Sequence, residues 1–267
     1  MKTFKDKITL CRNARGCFIL DTIKGCSGVS NERPRGCYGD CYANSIASRY
    51  RLGFNKPIKR NFYKNASLLS LFGFDDSEHE SEIIKSIKSI SMPFVRIGEM
   101  GDPSEDWEHT INVCKSIAIA GKPIVIITKH WKSISKHLYN EIAKLPICVN
   151  TSISAMDTDG EIIHRLIEYE NLKSCCKSIL RIVSCDYNIT NSEGARMAAI
   201  QERLFEKSPV INTVFRPSLK NPLVSNKVIN VQKIQFLKAS MIASVYKPDS
   251  YLGYCQDCPD MCGINLK

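Results

Sequence analysis

The chain has 267 residues, a formal net charge of +10, 43% hydrophobic and 24% charged residues. That length suits one large single-core domain, or one domain with a small appendage. No stretch approaches the ~20 apolar residues of a membrane span. The lysine-rich residues 1–10 lack the apolar run of a secretory signal, so a cytoplasmic protein with no membrane partner is expected.

In chain order, residues 16–22 (GCFILDT) read as a first strand. A Gly- and charge-rich loop follows, then helices over 41–52 and 80–90. The segment 94–100 (FVRIGEM) is a second strand, and 106–120 a helix closed by Gly121. Strands over 123–129, 147–154, 178–185 and 211–218 alternate with helices over 134–145, 160–169 and 192–206. Continuous apolar strands alternating with helices indicate parallel strands buried on both faces. Six such units predict an α/β fold, a partial (β/α)6 TIM-like barrel over 1–222; a doubly wound sheet is the competing architecture. Both place sites at the C-terminal ends of strands. The remainder, 223–267, reads as a helix over 228–245 and a cysteine-rich tail without regular structure.

Thirteen cysteines in a chain of this kind point to metal binding or redox chemistry more than to disulfides. Cys114, Cys148, Cys175 and Cys176 sit in apolar or helical contexts and read as small buried hydrophobes. Cys26, Cys37 and Cys41 are different. They share one loop, 25–43 (GCSGVSNERPRGCYGDCYA), directly after the first strand. Glycines in this loop allow close wrapping of a bulky group, and Cys41 opens the next helix, where a thiolate is favoured. Gaps of ten and then three residues do not match the paired C-x2-C of zinc sites. Three thiolates could instead hold an iron–sulfur cubane with one iron open.

This arrangement resembles radical S-adenosylmethionine (radical SAM) enzymes. In that superfamily three cysteines after the first strand of a partial (β/α)6 barrel hold a [4Fe–4S] cluster, and the open iron binds S-adenosylmethionine. The usual spacing is C-x3-C-x2-C. Here Cys37 and Cys41 keep the three-residue gap, Asn44 stands where the third cysteine is expected, and Cys26 supplies it from upstream. The ending C-x3-C-Y-A with an earlier cysteine is similar to a group of radical-SAM-like proteins of phages and mobile elements. The second strand ends in Gly98-Glu99, then Gly101-Asp102-Pro103, which is similar to the Gly-Gly-Glu-like motif that contacts the amino group of S-adenosylmethionine. The resemblance implies that Gly98, Glu99 and Asp102 serve that cofactor, and that Lys129, Ser152, Ser154 and Arg216, at later strand ends, complete its site. Ser152 and Ser154 would meet ribose hydroxyls, and Arg216 a carboxylate. It also implies an electron donor such as flavodoxin or ferredoxin.

The tail carries Cys255, Cys258 and Cys262 as C-x2-C-x3-C. A segment this short needs a staple, so a second iron–sulfur cluster or a zinc is expected there. Cys11, Cys17 and Cys185 are candidates for its fourth ligand. The five histidines show no HExxH-like pair, and there is no Walker loop or G-x-S-x-G elbow, so hydrolase and ATPase chemistry lack support. Trp131 reads equally as a base-stacking residue and as a helix anchor. The basic balance favours a nucleic-acid partner, although scattered lysines also suit a solvated surface. The expectation is a radical-SAM-type enzyme acting on a nucleic acid, nucleotide or peptide. The other reading is a non-catalytic zinc or iron–sulfur protein that binds nucleic acid or a protein partner.

Overall fold

The computed structural model describes residues 7–62, 77–248 and 250–266; the lysine-rich start at 1–6 lies outside them. The first half comprises β1 (Leu10–Arg12), β2 (Phe18–Leu20), β3 (Ile23–Lys24), α1 (Tyr42–Arg49), β4 (Ile58–Lys59), α2 (Ser77–Ser89), β5 (Val95–Ile97), α3 (Trp107–Ala118), β6 (Ile124–Thr128) and α4 (Lys136–Ile142). Then come β7 (Ile147–Ile153), α5 (Asp159–Leu172), β8 (Lys177–Ser184), β9 (Asp186–Tyr187), α6 (Ser192–Phe205), β10 (Val210–Val214), α7 (Pro222–Ser225), β11 (Ile229–Asn230), β12 (Gln232–Phe236) and β13 (Ala239–Ala243).

The central sheet has seven strands in the order β1-β2-β5-β6-β7-β8-β10. Only β1 is antiparallel to its neighbour; β2 to β10 are parallel. Those six parallel strands follow chain order with no reversal, so the doubly wound alternative, which needs a switch point, is excluded. All seven residues of β7 are buried, as a strand covered on both faces requires. The helices start where polar caps allow. Asp106 accepts the N–H of His109 to open α3, Thr158 and Glu161 form a reciprocal capping box at α5, and Asn191 accepts two N–H groups at α6. Beyond α3, Gly121 has φ +73°, the left-handed stop expected from the sequence.

Side chains alternate across a strand, so the register sorts the two faces. Ile19, Arg96, Val125, Cys148 and Lys177 stand side by side. The opposite face is apolar: Val95, Ile97, Ile124, Ile126 and Val149 join Ile111, Ile117, Leu138 and Ile142 of the helices in one core. The first face carries the polar residues and is covered by the C-terminal tail. Asn150 Nδ2 donates to the carbonyl of Cys262 at 2.9 Å, and Lys177 Nζ donates to those of Ile264 at 2.9 Å and Leu266. Gly263 lies so close that a Cβ there would stand 2.6 Å from Ile179.

The helix expected over 228–245 is not formed. Residues 229–230 pair with β9, and β12 and β13 form an antiparallel hairpin around Leu237, which has φ +52°. The physical reason is a period-two pattern: Ile234 and Phe236 are half-buried while Lys233 and Gln235 are exposed. The described residues after 231 therefore form a hairpin and a tail, and those of the tail carry two short 3-10 turns, Cys255–Asp257 and Met261–Gly263.

Candidate metal centre and cofactor site

The loop 25–43 lies across the C-terminal ends of the parallel strands and is tied down after β5, β6, β7 and β10. After β5, Gly25 and Gly101 form a bridge: Gly25 N donates to Met100 O at 2.9 Å and Asp102 N to Gly25 O at 3.3 Å. The N–H and hydroxyl of Ser27 donate to Glu105 at 2.6 and 2.5 Å. After β6, Trp131 packs on the loop so tightly that a Cβ on Gly28 would lie 2.5 Å from its ring. After β7, Arg33 pairs with Glu161 at 2.6 Å, and Tyr38 donates to Asp157 at 3.0 Å. After β10, Asp40 accepts the N–H of Ser218 at 2.9 Å and the amide of Asn221 at 2.7 Å, and pairs with Arg35. Burial works against the charge of Asp40, but these donors outweigh it and hold the carboxyl below its ordinary range.

Within this frame Cys37 lies within electrostatic reach of both Cys26 and Cys41. Burial pushes the Cys26 thiol well above its usual range, and Asp102 and then Cys37 add to the effect. Cys37 is raised by burial and by Cys41, with Lys129 opposing. Cys26 and Cys41 pack on the same small core of Ala43, Ala47 and Phe54. Gly28 N–H donates to Cys26 Sγ at 3.3 Å. Gly36 has φ +85°, and a Cβ there would stand 2.4 Å from that of Cys41. Cys41 caps α1 with no side-chain hydrogen bond of its own, so its sulfur is not used in capping. All thirteen cysteines are free.

The Gly98–Pro103 segment is built into the same structure. Gly98 has φ +97°, and a Cβ there would meet Ile127 O at 2.3 Å. Glu99 is already engaged: its carboxylate takes Arg96 and Asn13 Nδ2, its carbonyl accepts Tyr42 Oη at 3.0 Å, and its N–H donates to Asp21 at 2.8 Å. Asp102 is buried and takes four donors: Ser104 N, Ser104 Oγ, Thr128 Oγ1 and Lys129 N, at 2.6–2.9 Å. It thus clasps the end of β5 to the end of β6.

Lys129 lies 4.1 Å over the Tyr38 ring and 3.7 Å from Asp157, beside Cys37. Asp157 also pairs with the buried Arg165, whose guanidinium stacks 5.1 Å from Trp131. Trp131 is thus anchored between the loop and Arg165. Ser154 Oγ donates to Val183 O at 2.7 Å, and Ser152 is buried on β7. Arg216 stacks 4.5 Å from Phe236 and lines a cavity with Arg15, Arg96 and Arg181 beside the tail cysteines. Sequence reasoning missed Tyr38, Asp157 and Arg165, which join through space around Lys129. It also missed Arg15 and Arg96. An arginine in the middle of an apolar strand, as Arg96 is in FVRIGEM, was the available signal.

Four histidines are used structurally. His79, His109 and His164 each donate to a carbonyl, and His130 bonds Thr151. Among the described residues, no three His, Cys, Asp or Glu side chains converge as a single metal ion requires. Nor is any helix of the described residues long and apolar enough to cross a membrane. No protein-family model and no curated protein matches the chain.

Proposed function

We propose that the chain is a radical-SAM-type enzyme whose Cys26, Cys37 and Cys41 hold a [4Fe–4S] cluster, and that it modifies a nucleic acid, nucleotide or peptide. The observation that carries this reading is the Gly25–Gly101 bridge, which seats the cysteine loop directly on the Gly98–Pro103 segment at the end of the next strand. The six parallel strands follow the chain order of a partial (β/α)6 barrel. The donor set suits the group: three unpaired thiols, one backbone N–H aimed at Cys26 sulfur, and a glycine cradle at Gly36 that a methyl group would fill. A single ion needs sulfurs that converge on one point about 2.3 Å away, whereas a cluster presents a separate iron to each thiolate.

When bound, such a cluster with an open iron supplies the electron that cleaves S-adenosylmethionine to a 5′-deoxyadenosyl radical. The chain's own residues orient the reactants. Backbone carbonyls around Gly98 and Glu99 offer acceptors for an ammonium group. Asp102, with its oxygens filled, holds the β5 and β6 ends in register. Lys129, Tyr38 and Asp157 form a charged wall beside Cys37, and Ser152 and Ser154 lie on the same sheet face, suited to hydroxyl groups. The net charge of +10 favours a polyanionic substrate. A flavodoxin or ferredoxin in the cytoplasm would supply the electron, and Cys255, Cys258 and Cys262 would hold a second cluster or a zinc.

Anaerobically reconstituted protein should be brown, and with S-adenosylmethionine and a strong reductant should release 5′-deoxyadenosine. Cys26→Ala, Cys37→Ala and Cys41→Ala should each abolish release. Colourless protein carrying stoichiometric zinc would replace this reading with the non-catalytic one.

A further inference from the structure

The polar face of the sheet holds a pocket whose charge is unbalanced. Arg15, Arg96, Arg181 and Arg216 line one cavity with Thr213 and Asp260. Arg181 on β8 pairs with Ser152 on one side and Ile211 on the other. Side chains alternate along a strand, so Ile211 and Thr213 share the face of Arg181. Arg96 stands in line with Cys148 and Lys177 on that same face, since Lys177 and Arg181 are an even number of residues apart. Arg15 comes from the turn before β2, and Arg216 from just beyond β10. Both are held against the Phe236 ring, at 5.9 and 4.5 Å. Stacking engages the flat face of a guanidinium and leaves N–H groups at its edge.

These donors lack acceptors. Arg96 is 9% exposed, and its Nε has no hydrogen-bond partner among the described residues. The buried Thr213 hydroxyl has none there either. Arg15 donates to Gly253 O at 2.9 Å. The guanidinium groups of Arg181 and Arg216 make no hydrogen bond or ion pair with another described residue. Charge points the same way. Asp260 is the one carboxylate on the described lining, and Glu99 pairs with Arg96. Four guanidinium groups against two carboxylates leave an excess of two positive charges. Burial, then Arg96 and Arg15, hold Arg181 below its ordinary range, and burial with Arg15 and Arg181 does the same to Arg216. Guanidinium groups stay charged, so they repel one another until an anion enters.

A carboxylate is planar, carries one charge and is met by one guanidinium fork. A phosphate monoester carries up to two charges, on oxygens that accept from several directions. The cavity measures about 40 Å³, room for one such group when a water needs ~10–15 Å³. An internal phosphodiester carries a single charge and needs space for chain on both sides, so a terminal phosphate suits the pocket better. We propose that Arg15, Arg96, Arg181, Arg216 and Thr213 bind the terminal phosphate monoester of the substrate, a nucleotide or a nucleic-acid end. That the phosphate is the substrate's rests on the enzyme reading above. The pocket adjoins the proposed cofactor site, because Arg96 reaches Glu99 of the Gly98–Pro103 segment.

The test uses the full chain and uridine 5′-monophosphate, whose base is not that of S-adenosylmethionine. Calorimetry should find one site per chain, inorganic phosphate should compete for it, and uridine should bind at least about tenfold more weakly. Arg181→Gln and Arg216→Gln should each weaken the nucleotide by about tenfold or more, and Thr213→Val severalfold. Lys136→Gln, an equal loss of charge at an exposed position, should not. Tighter binding of a 5′-phosphorylated oligouridylate assigns the pocket to a nucleic-acid end, and tighter binding of the mononucleotide assigns it to a nucleotide. Uridine that binds as tightly as its 5′-monophosphate overturns the proposal on the wild type alone, whether or not the variants fold. So does nucleotide affinity unchanged in both arginine variants, or a wild type that binds neither nucleotide nor phosphate. Release of 5′-deoxyadenosine is measured on the same preparations. Release without nucleotide binding sinks the pocket alone, whereas nucleotide binding without release upholds the pocket and sinks the radical reading.

Discussion

Asp102 and His130 show how single buried groups set up the strand ends. Asp102 takes four donors from two loops, so Asp102→Ala strands several buried N–H and O–H groups at once. The expected cost is about 3 kcal/mol, read from the denaturant midpoint; a change below about 0.5 kcal/mol would deny it this role. His130 is fully buried against Trp107, and burial, with His164 and Arg165 nearby, lowers it from 6.5 to about 3. The folded protein keeps it neutral while the unfolded chain protonates it below about 6.5. Its contribution is therefore complete above that pH and is lost as pH falls from about 6.5 towards about 3, by up to about 1.4 kcal/mol per pH unit. Urea melts at pH 7 and 5 should show this loss, and His130→Asn should flatten it. An equal slope in that variant would assign the loss to other groups.

In the proposed reading the cysteine loop is the element that carries function, and its shape depends on Gly36. Alanine there would force a side chain into a left-handed backbone and against the Cβ of Cys41. Gly36→Ala should cost about 1–2 kcal/mol and lower iron loading, whereas Gly160→Ala, which meets nothing within 4 Å, should do neither. The parallel strands were legible because their β-branched apolar runs are continuous and bounded by turn residues. Cys26, Cys37 and Cys41 were legible as a set because they share one loop. The hairpin at β12 and β13 was not, since apolar residues over 228–245 satisfy helical spacing about as well as alternation. The arginines at the tail were not legible as a cluster either. Arg15, Arg96, Arg181 and Arg216 come from four separate segments that the fold brings to one cavity. Arg216 stacks on Phe236, a residue of the hairpin that the sequence concealed.

At the scale of the whole molecule, one sheet separates two environments. Helices bury one face, while the tail and the cysteine loop cover the polar face and the strand ends. The tail is held to that face by side chains of β7 and β8 and by the Cys255 N–H, which donates to Arg15 O at 2.7 Å. Stripping metal with a chelator should therefore raise hydrogen exchange across 255–266 while β5 to β8 stay protected. Uniform loss of protection would instead make the metal a determinant of the whole fold. The central claim is that Cys26, Cys37 and Cys41 hold a cluster with an iron open to S-adenosylmethionine. Electron paramagnetic resonance of the reduced protein tests it most directly. Adding S-adenosylmethionine should change the cluster spectrum of the wild type and leave that of Cys37→Ala unchanged. A wild-type spectrum indifferent to S-adenosylmethionine, or a response that survives Cys37→Ala, would contradict it.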